Sequence, residues 1–167
     1  MFKQAFENEL KFEGASTRKL LERVPFEDPK WHPHEKSRNI DQLAKHVANI
    51  YNWIPVIISK DEVDFSKGSP FAALPELKSN EDLVSFYDQA LSNATNALEN
   101  TSDEELAKTF VMRNGEHVVM SFPKAAAIRN LSFNHLVHHR GQLGVYLRLL
   151  DIPIPGMYGP SADEQRG

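Results

Sequence analysis

The chain contains no cysteine. That excludes disulfides, thiolate metal ligands and a cysteine nucleophile together, so any thiol chemistry has to use a thiol supplied from outside. A basic face is missing too. There are 19 Lys and Arg against 23 Asp and Glu, a formal charge of -4, and the basic residues are scattered, which argues against nucleic acid as a partner. Long apolar runs are absent. The opening "MFKQAFENELKFE" alternates charged with apolar residues where a signal peptide would carry a continuous apolar stretch, so the expectation is a cytoplasmic protein with no membrane segment. What the chain does have is ordinary for a globular protein. With 41% hydrophobic residues in 167, it is long enough for one compact domain, residues 1–167.

Apolar periodicity and helix punctuation predict four long helices. The first runs from Phe2 to Arg23 and stops before Pro25. "PFEDPKWHPHEKS" is too rich in proline for regular structure. The second helix begins near Asn39, because Asn39 and Gln42 have the spacing of a capping box, and continues to Ile58, kinked or shortened by Pro55. The loop "DFSKGSPFAALPELKS" ends in Ser79, a good N-cap for a third helix over Asn80 to Glu99. "LAKTFVMRNGEHVVMSFP" differs in kind: Asn114 and Gly115 sit between two short β-rich runs and predict a tight hairpin. Pro123 then opens a fourth helix that reaches Leu150 before "DIPIPG". The expected fold is therefore all-α, an up-down four-helix bundle with a small β-hairpin insertion between the third and fourth helices.

The fourth helix carries three histidines within five residues, His135, His138 and His139. At about 100° per residue, His135 and His139 lie about 40° apart on one face with a rise of about 6 Å, so both can reach one metal ion. Ile128, Leu131, Gln142, Tyr146 and Leu149 share that face, which predicts that it turns into the core. His138 falls about 60° to the other side of His135. On the second helix, His46 lies inside the apolar arc of Ile40, Leu43, Val47, Ile50, Ile54 and Ile57, and supplies a third imidazole. Three neutral imidazoles with an open position are the ligand set of a catalytic zinc-type site, and imidazole also suits nickel, iron and copper. A core histidine pair satisfied by hydrogen bonds is the structural alternative. The zinc-protease helix is excluded, because Leu136 stands where its mechanism needs a glutamate after the first histidine.

Gln142 and Tyr146 lie beyond His139 on the same face and are candidates to orient ligands or substrate, or simply to pack. His34, in "PHEKS", is a candidate for a pocket mouth or an exposed loop histidine. His32 and His117 receive no role, and Trp31 and Trp53 read as core or pocket-wall aromatics. The far side of the fourth helix carries Phe133, Val137 and Gly144 among Arg129, Arg140 and Arg148, which predicts cover on that side as well, from another helix of the chain or from a second copy in a homodimer.

"LSFNHLVHHRGQLGVYLRLLDIPIPGMYGPSADE", with "KWHPHEKSRNIDQLAKHVANIYNW" upstream, resembles the DinB-like (DinB/YfiT) family of metal-dependent proteins over nearly the whole chain. The resemblance implies a helical bundle with a divalent metal held by three histidines, which fall by position on His46, His135 and His139. By the chemistry of imidazole donors, the expected ion is zinc, nickel or iron. The resemblance further implies a thiol-dependent S-transferase that joins a low-molecular-weight thiol to a small electrophilic substrate, the metal lowering the thiol's pKa. Hydrolysis through metal-activated water and a non-catalytic metal-binding stress-response protein are the alternatives. No catalytic residue beyond the metal ligands is identified.

Overall fold

The computed structural model describes residues 2–70 and 74–164. Residues 71–73, within the loop expected before Ser79, lie outside the described residues. Helix α1, Phe2–Leu21, buries Phe6, Leu10, Gly14, Thr17 and Leu21, a spacing of three and four that keeps one face inward. Gly14 admits close contact with α4, Asn80–Glu99: a Cβ there would stand 2.9 Å from Leu91 Cδ1. The Tyr87 hydroxyl on α4 donates to the Gly14 carbonyl at 2.9 Å. Helix α4 has the bounds its sequence predicts, with the Ser79 hydroxyl accepting from the Asp82 amide.

The second helical stretch departs from expectation. The capping box forms, with Asn39 Oδ1 accepting from the Gln42 amide and Gln42 Oε1 from the Asn39 amide. The chain is nevertheless not one helix kinked or shortened by Pro55. Helix α2, Ile40–Asn49, gives way to a 3-10 turn over Ile50–Asn52, and α3 follows as Trp53–Ser59. Pro55 falls in the first turn of α3, where an amide has no helical partner to lose, so it disrupts nothing.

An all-α bundle with an isolated hairpin is also not what forms. Strand β1, Glu62–Asp64, pairs parallel with β2, Thr109–Asn114, which pairs antiparallel with β3, His117–Pro123. The result is a three-stranded mixed sheet in the order β1-β2-β3, and its Val63, Phe110 and Met112 join the apolar core. A three-residue strand that pairs far along the chain leaves almost no local signal, which is why the sequence shows only the hairpin. Its turn is also one residue later than predicted: Asn114 pairs with His117, leaving Gly115 and Glu116 as the turn, with Gly115 at a φ of 61°. Asp64 ties β1 to that turn by accepting from the Gly115 amide at 2.9 Å.

Lys124 fastens the sheet to the helices. It is 1% exposed, and its ammonium donates to the Ile58 carbonyl at 3.0 Å and pairs with Asp61 at 2.9 Å and with Glu105 at 2.6 Å. Glu105 sits on α5, Asp103–Ala107, a short helix capped by Ser102. The predicted fourth helix is three segments: α6, Lys124–Ile128, a π-helical stretch Arg129–Asn134, and α7, His135–Leu149.

Among the long elements, α1 packs on α4, α4 on α2, α2 on α7 and α7 back on α1, around one core that includes Leu10, Leu43, Tyr87 and Leu136. Phe133, on the far side of the fourth helix where cover is expected, is 1% exposed in this core. Beyond α7 the chain folds back, with Asp163 accepting from both Arg148 and the Ile154 amide. No helix among the described residues is long and apolar enough to cross a membrane.

Candidate metal centre

Helix α2 brings His46, and α7 brings His135 and His139, to a common point where the two helices pack. His46 Nε2 lies 2.9 Å from His135 Nε2, and one nitrogen from each of the three rings lies within 4.8 Å of the others. This spacing brackets the separation of about 3.3 Å between donors of a tetrahedral ion with bonds of 2.0–2.1 Å. The group could therefore hold a divalent ion.

The centre is shallower than the sequence predicts. Helix α7 buries Leu136, Arg140, Leu143, Tyr146 and Leu147, while His135 and His139 flank that stripe and are half-buried. The π stretch is the reason. A π turn closes on i→i+5 bonds, so residues before and after it do not share the phase of a continuous α-helix. Ser132 and Phe133 occupy its buried side, whereas Leu131, assigned to the ligand face, is only partly buried. Leu149, on the same continuous helix as His139, is 57% exposed, so the ligand face has left the core by the end of α7. His46 likewise stands beside the buried arc of Ile40, Leu43, Ala44 and Val47.

Burial still decides the charge state. Desolvation is the largest influence on all three imidazoles, lowering His46 to about 3 and His135 to about 4. His139 is lowered as well, against an opposing hydrogen bond from Gln142. The Arg38 guanidinium pushes all three the same way. Near neutral pH the rings are uncharged, as ligands must be.

Gln142 sets the tautomer of His139. Its Oε1, which can only accept, lies 2.7 Å from His139 Nδ1, so Nδ1 carries the proton and Nε2 keeps its lone pair. The Gln142 amide nitrogen faces His138 Nε2 at 3.2 Å. His138 itself is exposed, packs edge-on against His139, and stands outside the three-histidine group.

Tyr146 works one step further out. Its hydroxyl donates to the Arg38 carbonyl at 3.1 Å and its ring meets Trp31 edge-on at 5.5 Å, fastening the loop before α2 to α7. His34 is not drawn in: it stays exposed in that loop, accepting from the Lys36 amide. Trp53 packs against Phe65. Sequence reasoning overlooked Arg38. Its signal was its position, directly before the Asn39 cap and two helical turns ahead of His46.

On the other side, α1 supplies only part of the predicted cover, with Arg129 of the π stretch paired to Glu9 and Arg140 of α7 to Glu13. Val137, Val145 and Leu149 stay exposed beside Gly141 and Gly144, along a groove of about 480 Å³ that holds none of the three histidines.

A family model described as the DinB family matches residues 1–166. An uncharacterized protein of Bacillus subtilis strain 168, YrdA, is 26% identical over 153 residues, covering 92% of this chain and 86% of that protein. The crystal structure of a DinB-like protein from Bacillus cereus superposes with a TM-score of 0.71 at 22% identity, covering 95% of this chain and all of that one. A second, from Bacillus subtilis, gives 0.67 at 20% identity, with 96% and 98% covered. The chain belongs to the DinB family.

Proposed function

We propose that the protein binds one divalent ion through His46, His135 and His139 and uses it to transfer a small external thiol to an electrophilic small molecule. The observation that carries the reading is the convergence of three uncharged imidazole nitrogens on one point, with no carboxylate joining the group among the described residues. Such a donor set leaves the ion's charge unneutralised. A divalent ion held there lowers the pKa of a thiol so that it is a thiolate at neutral pH. A thiol needs no neighbouring general base for this step, whereas activating water calls for a group to carry the proton away, and among the described residues no carboxylate joins the three histidines, which ranks hydrolysis second. The chain's own residues contribute position: Gln142 holds His139 with Nε2 forward, and Tyr146 holds the loop that borders the site. The sulfur forms a bond to carbon, the leaving group departs with its electron pair, and the thiol proton goes to solvent. The absence of cysteine means the thiol is borrowed.

Zinc, nickel and iron are the ions this nitrogen set suits. A cytoplasmic location, and a homodimer joined through exposed Val137, Val145 and Leu149, belong to the same proposal, and a monomeric mass by light scattering removes the dimer. The test of function is elemental analysis of protein purified without a metal-affinity tag, with His46→Ala and His139→Ala beside it. About one divalent ion per chain, lost in both variants, followed by consumption of a model electrophile only when a low-molecular-weight thiol is added, is the expected result. Equal metal content in all three proteins removes the site, and consumption without thiol replaces transfer by hydrolysis.

A further inference from the structure

In the run "HHRGQ", His138 and His139 stand four and three residues before Gln142. Side chains on a helix lean back over the preceding turn, so within α7 one amide lies over two imidazoles. Both contacts form. Gln142 Oε1 is 2.7 Å from His139 Nδ1, and Gln142 Nε2 is 3.2 Å from His138 Nε2. The two imidazole rings themselves meet edge-on, with centroids 4.8 Å apart. The ends of an amide are not equivalent, because the oxygen only accepts and the nitrogen only donates. His139 therefore carries its proton on Nδ1, while His138 Nε2 accepts from the amide and its proton sits on Nδ1. Turning the amide over would exchange these roles. His139 Nδ1 would become the acceptor, its proton would move to Nε2, and no lone pair would remain there for an ion. The orientation of one amide thus decides whether His139 is a ligand. His138 is what receives the nitrogen end, and its ring makes no other hydrogen bond among the described residues.

We propose that His138 is a positioning residue for the metal centre: by accepting from the Gln142 amide nitrogen it keeps the amide oxygen on His139, and so keeps His139 Nε2 available to the ion. The proposal rests on the metal reading above. His138 touches neither ion nor substrate and acts only through Gln142. Both side chains are exposed, so the effect is that of a single solvent-facing hydrogen bond, about fivefold in metal affinity.

The test measures zinc affinity by competition with a chromogenic chelator, at about pH 8 so that ordinary imidazoles are neutral. Wild type is compared with His138→Phe, His138→Gln, Gln142→Leu and the double variant His138→Phe with Gln142→Leu. Phenylalanine keeps a ring against His139 and removes the acceptor; glutamine keeps an acceptor and removes the ring. Affinity should fall about fivefold in His138→Phe, recover most of that loss in His138→Gln, and be no weaker in the double variant than in Gln142→Leu alone. Nitrogen NMR of the metal-free proteins reads the tautomer directly. The His139 proton should lie on Nδ1 in wild type and shift toward Nε2 in His138→Phe, a change that loss of packing does not produce. Wild-type affinity in His138→Phe, a double variant weakened by the product of the two single losses, or an unchanged His139 tautomer overturns the role of His138 and leaves the metal site standing. Zinc that fails to bind the wild type removes the metal reading and this inference with it.

Discussion

Glu13 and Arg140 form an ion pair that the fold places almost out of reach of water, and removing one partner is the most severe single-site perturbation the structure offers. Arg140 is 3% exposed and Glu13 6%. Arg140 Nη2 lies 2.6 Å from Glu13 Oε2, an ion pair without the directionality of a hydrogen bond, and donates to the Tyr158 hydroxyl at 2.7 Å. Its Nη1 donates to Thr17 Oγ1 at 3.0 Å, and the Tyr158 hydroxyl donates to Glu13 Oε1 at 2.8 Å. Glu13→Ala leaves a guanidinium that cannot lose its proton with two hydroxyls and a carbonyl for company. Breaking a buried pair in this way costs about 3–5 kcal/mol. The low end applies, because Tyr158 is 64% exposed and admits water on one side. For a chain of this size, about 3 kcal/mol is a fall of about 6–12 °C in Tm. Urea unfolding of Glu13→Ala and of the double variant Glu13→Leu with Arg140→Met measures it: the single variant should lose stability at unchanged m-value, and the double variant should recover most of it, since an apolar pair of similar volume replaces a buried ion pair at little loss. A Glu13→Ala protein within about 1 kcal/mol of wild type would refute the reasoning, because it would mean the guanidinium is hydrated where it lies.

Other expected outcomes follow from single contacts. Gln142→Leu removes the acceptor that fixes His139, so zinc affinity measured by competition with a chromogenic chelator should drop about 10- to 100-fold. Unfolding should barely change, because Gln142 is exposed. The Asp163 carboxyl is held down to about 2 by the Arg148 guanidinium and then by the Ile154 amide. A carboxyl lowered by folding contributes fully above its ordinary value of 3.8 and loses that contribution as pH falls toward 2. Protection of the Ile154 amide from hydrogen exchange should therefore decline between about pH 4 and 2 in wild type, and should be low at every pH in Asp163→Asn. Asn39→Ala should destabilise the protein by about 1 kcal/mol in chemical unfolding, through loss of the cap on α2.

The sequence was most legible where the signal was local. Ser79 followed by twenty periodic residues gave α4 its bounds, and Asn39 with Gln42 announced the start of α2, because caps and period are written within a few residues of the structure they specify. The meeting of His46, His135 and His139 was legible for a related reason: four-residue spacing on one helix and a polar residue in an apolar arc on another are both periodic signals. What stayed hidden depends on partners distant in the chain. Glu62–Asp64 becomes a strand only because β2 lies beside it. Nothing local marks Lys124 and Arg140 as buried charges, because Asp61 with Glu105, and Glu13, reach them from distant parts of the chain. Pro55 misled because the break in the second helix arises over Ile50–Asn52, where nothing in the local sequence forbids a helix. Arg38 passed unnoticed because the contact that holds its backbone in place comes from Tyr146, far along the chain.

The π-helical stretch at Arg129–Asn134 bears on how many residues the chain can hold ahead of the histidines. Upstream, Ala127 and Ile128 are locked into the core; downstream, Leu136, Leu143 and Leu147 are locked in too, and the loose turn between them absorbs the mismatch in rotation. A π turn takes more residues per revolution than an α-helix, so the stretch behaves as an extra residue that the helix has taken in without losing register. Removing one residue there, with relaxation to ordinary α-helix, would leave Leu136, Leu143 and Leu147 close to their present phase and the imidazoles still facing α2. Removing one residue between His135 and His139, inside regular α-helix, would instead turn one ring from the other by about 100° and break up the group. The helix is therefore tolerant of length at Arg129–Asn134 and intolerant of it one turn later.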